Sequence, residues 1–167
     1  DQWEALKQTL MKHPEILSVT ASGIVPGDEK LNTFGARDEG SSESRDQPIM
    51  MLDYDFFSTY DIKLLSGRVF SRDFPNDLIE LPNSQFPDKD TNFVINATAA
   101  RNYGWTPETA LGKELRIFDN SNNYSRSGHV IGVVADSNFE SVRFNIKPLV
   151  FILVPNGMWS NNSPVLS

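Results

Sequence analysis

The longest strictly apolar run in the chain is six residues, Leu149-Val150-Phe151-Ile152-Leu153-Val154. That length suits one strand buried on both faces, and it falls far short of the roughly 20 residues a membrane span needs. All other strictly apolar runs are shorter, and Gly and Pro each occur ten times. The chain must therefore build its core from many short elements. Its 167 residues make about one domain. A compact chain of this size buries roughly 70% of its unfolded surface, so a core forms without covalent staples. None are available, because the sequence has no cysteine. Disulfides, thiolate nucleophiles and Cys-based metal sites are excluded together. The opening Asp1-Gln2-Trp3-Glu4 lacks the apolar stretch of a signal peptide, so a water-facing piece of a protein is expected.

Charge narrows the partners. Fifteen basic side chains stand against 22 acidic ones, a net −7. Residues 1–90 carry 9 basic and 17 acidic groups, and residues 91–167 carry 6 and 5, so the first half supplies the negative field. This balance argues against a nucleic-acid binder and against a helix lying on anionic lipid.

Trp3, Leu6 and Leu10 recur at helical spacing, which predicts an amphipathic helix over 1–13, stopped by Pro14. Ile16-Leu17-Ser18-Val19-Thr20 is expected to open a strand running to Gly23 or Val25. Residues 26–48 hold three glycines and six carboxylates among few large apolar side chains. They read as a long, partly mobile excursion with a short strand near 31–34. Ile49-Met50-Met51-Leu52 is a strand, and Asp53 or Asp55 is expected to cap a short helix through Phe56, Phe57 and Tyr60. Residues 63–65 are extended and end at Gly67-Arg68, and the Pro-containing stretch 71–90 is irregular. Phe93-Val94-Ile95 is a strand, Asn96 caps a helix over 97–103, and Gly104 ends it. Thr106-Pro107 opens another short helix before Gly112. Residues 114–118 and 129–134 predict a hairpin with a long polar loop, and strands at 142–144 and 149–154 close the series. Short helices among mostly antiparallel strands give an α+β fold, with no internal repeat.

Searches for reaction chemistry are mostly negative. His13 ends a helix, His129 starts a strand, and neither has metal-ligand spacing. No nucleophile elbow, Walker A loop or dinucleotide fingerprint occurs. Asp53 and Asp55 form a D-x-D pair. On a strand the two carboxylates would face the same way, roughly 7 Å apart, as a cation site or glycosidase pair would require. Helix capping at a solvated strand end is the simpler account. Asp88-Lys89-Asp90 begins like a calcium loop but has Phe93 where Gly and Ala99 where Glu belong. Gly67 and Gly112 end apolar segments, where positive φ or close approach is expected. Phe56, Phe57, Phe70 and Phe74 read as core. On the residues alone the chain leans towards a structural or interaction domain.

An ordered set of short pieces carries a resemblance. Leu52-Asp53-Tyr54-Asp55-Phe56-Phe57 leads through Tyr60-Asp61-Ile62 into Leu64-Leu65-Ser66-Gly67-Arg68-Val69-Phe70. Then come Phe93-Val94-Ile95-Asn96 with Ala99-Ala100, and Ala110-Leu111-Gly112-Lys113. Val130-Ile131-Gly132-Val133-Val134-Ala135-Asp136, Asn138-Phe139-Glu140-Ser141-Val142 and Ile146-Lys147-Pro148-Leu149-Val150-Phe151 follow. The set resembles the MacB-like periplasmic core domain, the extracytoplasmic insert after the first membrane helix of FtsX-like ABC transporter permeases. It covers roughly residues 1–154. Residues 26–48 lie outside the pattern. The chain also stops at Ser167, where the family continues with strand, helix and strand, so it is either truncated or ends differently. Pro164-Val165-Leu166 is expected to begin that strand.

The resemblance implies a two-lobed α+β domain. A porter-like, membrane-proximal lobe would comprise 1–67 plus 146–167, and an inserted mixed α/β tip lobe would comprise 68–145. It marks Gly67, Arg68, Asn96, Gly112, Lys113, Gly132, Asp136 and Pro148 as structural motif residues. It implies no catalytic, cofactor or metal site. The domain would be no enzyme and would lie on the periplasmic side of a bacterial inner membrane. It would couple cytoplasmic ATP hydrolysis to export or to mechanical work. The implied partners are its own transmembrane helices, an ATPase domain or subunit, a periplasmic adaptor protein and a second permease copy, with no nucleic acid. The alternative is a stand-alone extracytoplasmic ligand-binding or sensor domain.

Overall fold

The computed structural model describes residues 2–23, 31–79, 90–118, 125–137, 146–154 and 165–166. In chain order the elements are α1 (Gln2–Leu10), β1 (Ala21–Ser22), β2 (Asn32–Asp38), β3 (Arg45–Leu52), α2 (Phe56–Thr59) and β4 (Leu64–Gly67). A 3-10 turn at Pro75–Asp77 follows, then β5 (Thr91–Asn96), α3 (Ala97–Asn102), β6 (Glu114–Phe118), β7 (Ser125–Val134), β8 (Val150–Leu153) and β9 (Val165–Leu166). The fold is α+β, as expected. The expected strand at 142–144 lies outside the described residues.

The strands form one sheet in the order β2-β6-β7-β5-β8-β3-β1-β9, with β4 paired to β7. Because β2 also pairs with β3, six strands close a ring of pairings. β5–β7 and β3–β8 are parallel and the other pairs antiparallel. Strands from 1–67 and 146–167 thus share one hydrogen-bonded layer with strands from 68–145, and no break in the sheet marks the expected lobe boundary.

Side chains alternate between two apolar clusters, one on each face of the central strands. In β8, Val150 and Ile152 enter the first cluster and Phe151 and Leu153 the second. β5 does the same with Phe93 and Ile95 against Val94. The six-residue apolar run is therefore a strand covered on both faces. Trp3 of α1 and Ala99 and Ala100 of α3 join the first cluster, and Phe56, Phe57 and Phe70 join the second. Phe57 meets Phe151 edge to face at 5.2 Å between ring centres.

Several expectations need correction. The 26–48 excursion is largely a hairpin, with β2 and β3 paired from Asn32↔Ile49 to Ala36↔Arg45. Its buried positions, Gly35 and Ala36, are too small to register as an apolar pattern, and at Gly35 the need for a small residue is steric. A Cβ on Gly35 would lie 2.4 Å from Phe118 Cε2. The helix over 1–13 is shorter and turned: Leu6 is exposed, and Lys7 takes the inward position between Trp3 and Leu10. The strand from Ile16 is reduced to β1, although Val19 and Thr20 are buried. The helix expected after Thr106 is a single turn, closed by Ala110 N–H on the Thr106 carbonyl at 3.0 Å. Gly112 then leaves it towards the sheet.

Candidate functional site

Two chain segments far apart in sequence meet on the middle of β7. Gly67 ends β4 with φ +73° and pairs with Gly132. Arg68 N–H donates to the Ile131 carbonyl at 3.0 Å. A Cβ on Gly67 would lie 2.2 Å from that carbonyl oxygen, and one on Gly132 would lie 2.0 Å from the Arg68 oxygen. The two backbones thus approach at positions without side chains. Gly112, at φ +77°, donates to the Val130 carbonyl at 2.8 Å, and the Lys113 carbonyl accepts from Val130 N–H at 2.9 Å. Lys113 contributes its backbone there, and its side chain is exposed.

The Arg68 side chain continues from this crossing. Its guanidinium forks onto Asp77 at 2.6 and 2.9 Å and lies 3.8 Å from the centre of the Phe74 ring. Asp77 is completely buried and also accepts from Asn92 Nδ2 at 2.6 Å and Ser71 N–H at 2.9 Å. Sequence reasoning missed Asp77, because it sits in a Pro-rich stretch that reads as irregular.

A second knot surrounds α3. Asn96 Oδ1 accepts from the N–H groups of Ala99 at 2.8 Å and Leu149 at 2.9 Å, and its Nδ2 donates to the Lys147 carbonyl at 2.9 Å. The helix cap expected at Asn96 is present, and the same amide fixes the entry into β8. The Pro148 carbonyl accepts from Gln47 Nε2 at 3.0 Å, and the Tyr103 hydroxyl donates to Gln47 Oε1 at 3.0 Å. Burial pushes the Tyr103 phenol up to about 12. Asp136 accepts from Thr98 N–H at 2.8 Å, Thr98 Oγ1 at 2.9 Å and Arg101 at 2.8 Å, tying β7 to α3.

Asp53 and Asp55 do not form the same-face strand pair that a cation site or glycosidase pair would require. β3 ends at Leu52 and the chain turns into α2. Asp53, 2% exposed, accepts from the Thr20 hydroxyl and from Asp55 N–H. Asp55 occupies the N-cap position of α2 without a side-chain capping bond. Its carboxylate instead holds Lys7 of α1 and Arg72, which also reaches Glu4 at 3.5 Å. Lys7 Nζ lies 3.9 Å from Asp53 Oδ2. Burial raises the Asp53 carboxyl, against the opposing pull of Thr20 and Lys7. Burial alone would raise Asp55 too, but the Lys7 and Arg72 charges outweigh it and hold it low. Divergent carboxyls can signal acid–base chemistry. Here the charges on Asp55 come from side chains that fasten α1 to the β3–α2 corner. Among the described residues no group of three His, Cys, Asp or Glu side chains is placed to hold a metal.

No protein-family model matches the sequence, and no curated protein matches it. Solved structures do. The periplasmic region of MacB from Actinobacillus actinomycetemcomitans superposes with a TM-score of 0.54 at 18% identity, covering 90% of this chain. A domain from Porphyromonas gingivalis, described as that of a permease protein, gives 0.58 at 16% identity over 96% of this chain. The extracellular domain of the noncanonic ABC-type transporter YknZ from Gram-positive bacteria gives 0.53 at 15% identity over 90%. The fold is that of a MacB-like periplasmic domain. The chain spans 54%, 64% and 61% of those three structures. Within this MacB-like fold, Gly67, Gly112 and Gly132 sit where backbones approach and Asn96 caps α3. No helix among the described residues is long and apolar enough to cross a membrane.

Proposed function

We propose that this chain is the extracytoplasmic domain of an ABC transporter permease and carries no reaction centre of its own. The observation that carries the reading is likeness to the periplasmic region of MacB, the extracellular domain of the transporter YknZ and a domain described as that of a permease protein, over at least 90% of the chain. The finer form of the reading has a bacterial periplasmic domain, with a porter-like membrane-proximal lobe and an inserted tip lobe. That form rests on the sequence resemblance. The domain transmits cytoplasmic ATP hydrolysis to export or to mechanical work through contacts with its transmembrane helices, a second permease copy and an adaptor protein. The polar clusters support a transmitting role, because their charged groups are bonded to one another across elements and stiffen the domain.

The test uses the full-length protein purified in detergent. It is expected to come with an ATPase domain or subunit and to hydrolyse ATP, while the 167-residue chain alone does not hydrolyse it. ATP hydrolysis by the isolated chain would overturn the reading. Recovery of the full-length protein in the soluble fraction without an ATPase would favour the sensor alternative.

A further inference from the structure

Arg37 on β2 and Arg116 on β6 stand directly opposite each other in the antiparallel register. Like charges so placed destabilise a sheet. The chain has 22 carboxylates for 15 basic side chains, yet neither guanidinium reaches a carboxylate within 4 Å among the described residues. Arg45, Arg68, Arg72 and Arg101 each do.

Both guanidinia are also oriented. Arg116 Nε donates to Ser125 Oγ at 2.8 Å, and among the described residues its two terminal nitrogens have no hydrogen-bond acceptor. Arg37 stacks on the Phe118 ring, with its guanidinium carbon 5.0 Å from the ring centre. The ring can lie there because its register partner is Gly35, where a Cβ would collide with it. Arg37, Arg116, Phe118 and Ser125 together line a hollow of about 200 Å³.

We propose that this hollow binds a phosphate group. Two guanidinium forks offer more donors than a carboxylate's two oxygens can engage, whereas the terminal oxygens of a phosphate can accept from both forks at once. Bound phosphate also removes the repulsion between the two arginines. The Phe118 ring gives the site one apolar wall for the organic part of a phosphate ester.

The test is a titration of the 15N-labelled chain with inorganic phosphate, against chloride at equal ionic strength. Saturable amide shifts are expected, confined to residues 35–38, 115–118 and 125–127, with half-saturation below about 10 mM. Arg37→Gln and Arg116→Gln should each weaken binding by about tenfold, the loss expected for a charge-assisted bond. Without phosphate each variant should melt at or above the parent temperature, because the repulsion is relieved. Shifts that never saturate, equal affinity in the double variant, or a variant that loses stability without phosphate would each overturn the proposal. Capture on phosphatidylglycerol vesicles that needs both arginines would assign the phosphate to a lipid headgroup. A response to free phosphate without such capture would assign it to a soluble source.

Discussion

Gly67 and Gly112 have nearly the same backbone angle but different surroundings, and this separates two costs that sequence reading merges. Both sit at φ near +75°, where a side chain is strained. Around Gly112 a Cβ would meet nothing within 4 Å, so Gly112→Ala should cost about 1 kcal/mol of stability from strain alone. At Gly67 the Cβ would also meet the Ile131 carbonyl at 2.2 Å. Gly67→Ala should therefore cost clearly more in urea denaturation, and equal costs would refute the steric account. Arg68 makes a different case. Removing it leaves the Asp77 carboxylate buried and without its counter-ion. Arg68→Ala is expected to cost about 3 kcal/mol, the low end for breaking a buried pair, because Arg68 keeps a third of its surface in water. Asp77→Asn in that background should recover part of the loss, measured by the same urea curves. The sequence marked Gly67, Gly112 and Arg68 through their positions, but Asp77 carries no local signal. Its partner is defined only when the chain after β4 folds back.

Between elements, the fastening of α1 is electrostatic as well as apolar. Trp3 enters the core, while Lys7 and Glu4 reach Asp55 and Arg72 beyond β3. The two aspartates should respond to pH in opposite senses. Asp53 has a raised pKa in the folded state, so the stability it contributes is present below the ordinary carboxylate value and is lost as pH rises through the raised one. Asp55 has a lowered pKa, so its contribution is present above the ordinary value and is lost as pH falls through the lowered one. Asp53→Asn keeps an acceptor for Thr20 and removes the buried charge. Relative to the parent it should gain stability as pH rises from about 3.5 to 7. Asp55→Asn should lose stability near neutral pH, with the loss fading in acid. Parallel pH profiles for the two variants would contradict this picture. Elements with large apolar residues, β3, β5 and β8, and the Asn96 cap were legible in the sequence. The β2–β3 hairpin was not, because Gly35 lies against the Phe118 ring and Ala36 pairs with Ile117, both on a strand eighty residues later. The inward turn of Lys7 was equally hidden, since helical periodicity counts a lysine as outward.

At the scale of the whole molecule, nothing in the described surface requires a second copy. Exposed large apolar side chains among the described residues are scattered over the N-terminal region, with Leu6, Met11 and Leu17, the vicinity of β4, with Leu64, Leu65 and Leu111, and the separate positions Phe74 and Ile146. The net charge of −7 adds mutual repulsion between copies. A stable dimer needs an interface above roughly 1,000 Å² with a continuous apolar centre. Within the permease reading no such interface is needed. Membrane segments that dimerise hold two soluble domains at an effective concentration of about millimolar, where weak contacts suffice. The isolated chain is therefore expected to sediment as a monomer at about ten micromolar, a concentration that populates any dimer tighter than micromolar. Raising the salt should leave that result unchanged if apolar contacts are insufficient, and should promote weak association if charge repulsion alone keeps copies apart. A dimer persisting at nanomolar concentration would place the pairing surface within this domain, and the membrane would then follow the domain's association instead of imposing it.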